Sequence, residues 1–163
     1  MRNAKYRILF VCTGNVCRSP MAEYLLRHRL GGRHDVVVGS AGVFAADGVP
    51  ASREAVQALD ELGIDLTPHR SRMLAPDLVE AATHILVMTE RHRQEVVRAY
   101  PAAASRVRLA TSFGAGRAGG DIADPIGLPL SVYRRVRDEL DAAVADLIRS
   151  EEHTSELQSH DDI

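Results

Sequence analysis

Cys12-Thr13-Gly14-Asn15-Val16-Cys17-Arg18-Ser19-Pro20 places a thiol and a guanidinium at the two ends of one short loop, directly behind the apolar run Ile8-Leu9-Phe10-Val11. That run has the length and continuity of a buried parallel strand, and Pro20 suits the first position of a helix with Ser19 as its N-cap. A loop between a strand end and a helix N-terminus gathers backbone N–H groups and the positive end of the helix dipole, which together cradle an anion. The same field makes a cysteine at position 12 a nucleophile. Arg18 can grip two phosphoryl oxygens in one planar fork, which a lysine cannot do. A cysteine pair that only closed a tight turn would leave Arg18 unexplained.

Outward from this loop, strands alternate with helices. Residues 21–30 read as a helix with Met21, Ala22, Leu25 and Leu26 on its apolar face, stopped by Gly31-Gly32. Val36-Val37-Val38 opens a second strand running into Ser40-Ala41-Gly42. Ser52 can cap a helix whose Ala55, Val56, Leu59 and Leu62 share a face. A short helix over 75–82, a third strand at Ile85-Leu86-Val87-Met88, a helix capped by Thr89 and a fourth strand at 107–110 follow. A Gly-rich loop over 111–129 leads to a final helix capped by Ser131 and striped by Val132, Val136, Leu140, Val144 and Leu147. This order predicts an α/β fold: one domain with a parallel four-stranded sheet, helices on both faces and the phosphate loop between strand 1 and helix 1. Ligands of such sheets bind beyond the carboxyl ends of the strands, where Cys12, Ser40 and Thr89 all fall.

The chain has 163 residues, 45% of them hydrophobic, which suits a single core. Nothing approaches a membrane-spanning run or a signal peptide, so the expected compartment is the cytoplasm, with no membrane partner. Two cysteines in one loop cannot frame a disulfide fold, no Cys/His cluster has metal spacing, and most of the seven scattered histidines read as solvated or capping residues. Lys5 is the only lysine among 20 basic residues, a bias of coding composition rather than a nucleic-acid surface. Five of the 22 acidic residues lie in 150–163, so the body ahead of them is slightly basic, which suits an anionic substrate. The domain is expected over 1–149. Residues 149–160 read as the in-frame translation of an adapter oligonucleotide, or as an ordinary acidic and disordered tail.

The loop in its setting, Val-Cys-Thr-Gly-Asn-Val-Cys-Arg-Ser-Pro-Met-Ala-Glu, resembles the low-molecular-weight protein tyrosine phosphatase family, and the resemblance extends over residues 5–148. It implies a cofactor- and metal-free hydrolysis of phosphorylated protein by a monomer. Cys12 would attack phosphorus, Arg18 and the loop residues Thr13, Gly14, Asn15, Val16, Cys17 and Ser19 would bind the phosphoryl group, and Asp124 of Asp124-Pro125 would protonate the leaving group. Asp121 is the competing acid. Asn15 suits a left-handed backbone, and Ser19 could donate to the Cys12 sulfur. Ser40 and His69 match positions that brace Asn15 in the family, although His69 also suits an exposed loop. Cys17 either traps oxidised Cys12 as a disulfide or is a small packed side chain.

For the substrate, the resemblance divides. Tyrosine-directed members carry aromatic residues after the Asp-Pro pair, where this chain has Ile126-Gly127. The latter stretch and Ser40-Ala41-Gly42-Val43-Phe44-Ala45 are similar to the protein arginine phosphatase branch. That branch has Thr where this chain has Val16, and losing the hydroxyl removes a partner for a phosphorylated guanidinium. Phosphotyrosine is therefore the expected substrate, with phosphoarginine the alternative. An arsenate reductase relay would need further cysteines after Cys17, and a non-catalytic binding module would not need both Cys12 and Asp124.

Overall fold

The computed structural model describes residues 4–114 and 119–161, with side chains through Glu152; residues 115–118 of the Gly-rich loop and the side chains of 153–163 lie outside the description. Four strands, β1 (Tyr6–Cys12), β2 (Val36–Gly42), β3 (His84–Val87) and β4 (Val107–Leu109), form a wholly parallel sheet in the order β2-β1-β3-β4. Five α-helices connect and follow them: α1 (Arg18–Leu30), α2 (Arg53–Asp60), α3 (Pro76–Ala81), α4 (Glu90–Ala99) and α5 (Leu130–Asp161). A 3-10 turn over Pro101–Arg106 leads into β4.

The two-residue period of β1 sorts the core into two layers. Ile8, Phe10 and Cys12 face a cluster with Met21, Leu25 and Leu26 of α1, Leu59 of α2, and Tyr133, Leu140 and Val144 of α5. Leu9 and Val11 face Val79 of α3, Val96 of α4 and the β3 residues Ile85 and Val87. Burying one such large apolar side chain contributes about 1.5–3 kcal/mol, so the central strand is held from both sides. Its carboxyl end, pinned by the Val11↔Ala41 and Cys12↔Gly42 register, is where the loop over 13–17 begins.

Several boundaries depart from the sequence reading. Helix α1 starts at Arg18, so Pro20 is its third residue rather than its first. The proline costs nothing there, because the first N–H groups of a helix have no intrahelical acceptor. Ser19 is not the cap; that position is Cys17, without a capping side-chain bond. Ser52 does precede α2, but its hydroxyl turns to Tyr133 instead of a helix N–H. Helix α2 stops at Asp60, leaving Leu62 42% exposed. Helix α5 begins one residue before Ser131 and continues to Asp161, through the stretch read from sequence as either a foreign translation or a disordered tail. Extending an established helix fixes one residue for each bond gained, which makes continuation easy for Glu-rich sequence. Glu151 also reaches back, with Oε1 3.1 Å from His84 Nε2.

Candidate active site

Asn15 is the one described non-glycine residue with positive φ, at 57°, and it turns the loop between Cys12 and Arg18. Its side chain is fully buried and every polar atom is used. Nδ2 donates to Ser19 Oγ at 2.8 Å and to Ser40 Oγ at 3.0 Å, and Oδ1 accepts the Arg72 backbone N–H at 2.9 Å. The Ser40 hydroxyl donates to Glu23 Oε1 at 2.6 Å, and Glu23 pairs with Arg27. His69 Nε2 lies 2.7 Å from the Asn15 carbonyl oxygen. A carbonyl only accepts, so this ring nitrogen carries the proton. Burial pushes the His69 pKa down, which keeps the ring neutral. His69 and His92 are the two histidines that are buried among the described residues.

Ser19 Oγ accepts from Asn15 and keeps its hydroxyl proton available toward Cys12 Sγ, 3.0 Å away, in a contact where either group can donate. The hydroxyl expected to cap α1 is directed at the thiol instead. Gly42, at the end of β2, passes so close to the loop that a Cβ would lie 2.4 Å from the Thr13 carbonyl oxygen and 2.8 Å from Ala45 Cβ. Only glycine permits that approach, and it lets the Phe44 N–H reach the Thr13 carbonyl at 3.0 Å. Thr13 is exposed, Gly14 and Val16 are partly buried, and Cys12, Cys17 and Arg18 are buried.

Arg18 joins this loop to the segment before α5. Its Nη1 donates to the Ile122 carbonyl at 2.9 Å, and its Nη2 lies 3.5 Å from Asp124 Oδ2. Ile122 is itself 1% exposed and donates its N–H to the Met88 carbonyl beyond β3. The two candidate acids separate here. Asp124 stands beside Arg18, while Asp121 Oδ1 accepts the Glu90 N–H at the start of α4 and so is a tether. Asp124 Oδ1 also accepts the Ile126 N–H at 3.1 Å, which orients its carboxylate.

Cys17 Sγ sits in a triangle with Ser52 Oγ at 3.3 Å and Tyr133 Oη at 3.4 Å. Burial raises the pKa of both Cys17 and Tyr133, so the thiol stays protonated in this packed setting. The sequence reading missed Glu23, Gly42 in its steric role, His92, Asp121 as a tether and Tyr133. Exposed apolar side chains border both sides of the mouth: Phe44 at 84% after β2 and Ile126 at 53% after Asp124. Among the described residues no His, Cys, Asp and Glu cluster could hold a metal, and no helix is long and apolar enough to cross a membrane.

Comparison with known proteins agrees with this geometry. Residues 7–159 match the family model described as low molecular weight phosphotyrosine protein phosphatase. A protein-arginine-phosphatase of Geobacillus stearothermophilus is 49% identical over 140 residues, covering 85% of this chain and 91% of the relative. A probable low molecular weight protein-tyrosine-phosphatase, EpsP of Ralstonia nicotianae, is 40% identical over 138 residues, covering 84% and 90%. The solved YwlE arginine phosphatase from Geobacillus stearothermophilus superposes with a TM-score of 0.85 at 45% identity, covering 95% of this chain and 97% of that one. The strand order, the loop after β1 and the sequence match agree, and the chain belongs to the low molecular weight phosphotyrosine protein phosphatase family of hydrolases.

Proposed function

We propose that this chain removes phosphate from phosphotyrosine in proteins, acting as a cytoplasmic monomer through a cysteinyl-phosphate intermediate. The observation that carries the chemistry is the placement of Cys12 Sγ beside Ser19 Oγ while Arg18 reaches Asp124 across the mouth. In the first step the Cys12 thiolate attacks phosphorus, the bond from phosphorus to the leaving oxygen breaks, and Asp124 gives that oxygen its proton. Arg18 and the N–H groups of the loop residues Thr13, Gly14, Asn15, Val16, Cys17 and Ser19 take up the developing charge. In the second step water attacks phosphorus, Asp124 takes the water proton, and the sulfur–phosphorus bond breaks. Ser19 donates to the departing thiolate, so inorganic phosphate leaves and Cys12 is regenerated. Asn15, Ser40 and His69 act indirectly, by holding the loop.

Val16 favours the phosphate ester. It offers shape without a hydrogen-bonding group, and it lies partly buried against the apolar core. An N-phosphorylated guanidinium entering beside it would lose a polar partner, worth about 1 kcal/mol. Phosphoarginine is the second reading, favoured by the high identity to a relative named as an arginine phosphatase and by Ile126, which leaves the mouth without a second aromatic wall. In that case the bond broken would be phosphorus to nitrogen, with the proton of Asp124 passing to the guanidino nitrogen.

The test is phosphate release from a phosphotyrosine peptide and a phosphoarginine peptide in parallel, with Cys12→Ala as control and Val16→Thr as the selectivity variant. Preference for phosphotyrosine, moving toward phosphoarginine in V16T, supports the first reading. Preference for phosphoarginine transfers the assignment to the second. Release from neither peptide overturns the catalytic account.

A further inference from the structure

His92 is 3% exposed in the first turn of α4, and its Nε2 lies 2.8 Å from Thr13 Oγ1, a residue 79 positions earlier. Its other ring nitrogen, Nδ1, is buried and has no hydrogen-bond partner among the described residues. A buried N–H left unpaired is rarer than an unpaired acceptor. The proton therefore belongs on Nε2, which donates to Thr13 Oγ1 and leaves a lone pair at Nδ1. Burial first, and then the Arg18 charge, push the ring pKa down to about 4, so the ring is uncharged at neutral pH.

The ring is held from behind. The His92 N–H donates to Thr89 Oγ1 at 3.1 Å, and the Glu90 N–H of the same turn donates to Asp121 Oδ1 at 2.9 Å. Asp121 stands three residues before Asp124. One helical turn thus grips the loop that begins at Cys12, through His92 and Thr13, and the segment that carries Asp124, through Glu90 and Asp121. Neither grip touches the phosphoryl group or the Asn15 network.

We propose that His92 is a positioning residue: by tying Thr13 to the turn of α4 that also tethers Asp121, it sets the register between the nucleophile Cys12 and the acid Asp124. The inference rests on the proposed function, whose roles for Cys12 and Asp124 it uses. A misplaced acid matters most when the leaving group needs the proton. The loss should therefore grow with the basicity of the leaving oxygen and leave anion binding alone.

The experiment compares kcat for phenyl phosphate and 4-nitrophenyl phosphate, and inhibition by inorganic phosphate, in the full chain and in His92→Leu, His92→Gln, Thr13→Val and the H92L/T13V double variant. Loss of one positioning hydrogen bond should lower kcat about tenfold for phenyl phosphate and about threefold or less for the activated ester in H92L. In H92L and H92Q phosphate inhibition should hold within about twofold, since His92 is not one of the groups that bind the anion. Gln places an amide N–H near the Nε2 position and should recover most of the phenyl phosphate rate. The double variant should be no slower than the slower single variant, because both remove one bond.

Equal losses for the two esters, weakened phosphate inhibition in step with kcat, a Gln variant as slow as Leu, or multiplying effects of H92L and T13V would each overturn the inference. Should H92L fail to fold, T13V at its exposed position carries the leaving-group test alone. An unaltered chain that turns over neither ester sinks the proposed function; an active one with unchanged H92L kinetics sinks only this inference.

Discussion

From Asn15 onward the loop after β1 hangs on a buried set of four hydrogen bonds to Ser19, Ser40, Arg72 and His69, backed by Glu23 and Arg27. The Thr13 end hangs by its side chain on one ring nitrogen of His92, at an exposed position. The buried end supports a strained conformation, since φ of Asn15 is positive and the interior around it leaves no alternative partner. The exposed end has no positive φ; its one side-chain bond ties the loop to α4, which also tethers Asp121. In the proposed account one end shapes the cradle and the other aligns it.

Cutting the buried end should do the most damage. Asn15→Ala strips partners from Ser19, Ser40 and the Arg72 N–H at once. It should destabilise the fold by about 3 kcal/mol, read as the urea midpoint, because each orphaned buried group costs about 1–3 kcal/mol. Turnover should fall by on the order of 100-fold as the N–H cradle relaxes. Retention of full activity in N15A would erase the distinction between the two ends.

Ser40→Ala, one bond further out, sharpens the same point. It leaves the Glu23 carboxylate short of a donor and should cost about 2 kcal/mol, while lowering turnover less than N15A. Ser19→Ala acts within the chemistry. Rapid-quench kinetics should show the cysteinyl phosphate accumulating, with its hydrolysis slowed about tenfold, since the donor to the departing sulfur is gone.

A smaller effect concerns pH. Both buried histidines have folded-state pKa values below their ordinary value, His92 down to about 4. Between the ordinary histidine pKa and that value the unfolded chain binds more protons than the folded one, so stability rises with pH. The stability contributed by neutral His92 should be present in full above about pH 6.5 and be lost progressively toward about pH 4. Urea midpoints at pH 7 and pH 5 should differ less in H92L than in the unaltered chain. As a control remote from both ends, stopping the chain after Arg149 removes the His84–Glu151 contact and should shift stability by about 0.5 kcal/mol or less.

The architecture was legible because its signals are local. Ile8–Val11 and Ile85–Met88 are uninterrupted apolar runs, and glycine and proline punctuate the segments between them. The core of the site was legible for the same reason: Cys12, Asn15, Arg18 and Ser19 lie within eight consecutive residues, and the positive φ expected of Asn15 is found there. The bracing was only partly so. Tyr133 meets Cys17 across 116 residues and His92 meets Thr13 across 79, distances at which no period or motif speaks. Glu23 reads as an ordinary helical carboxylate until Ser40 is placed beside it by the β1–β2 pairing. Ser19 misled for a physical reason, because one hydroxyl can cap a helix or serve a thiol, and sequence spacing fits both.

The most direct test of the account is mass spectrometry of the full chain, quenched in acid within milliseconds of mixing with a phosphotyrosine peptide. The account predicts a phosphate adduct on the proteolytic peptide that contains Cys12, and none in Cys12→Ala. Turnover without that adduct, or the same adduct in C12A, would contradict it.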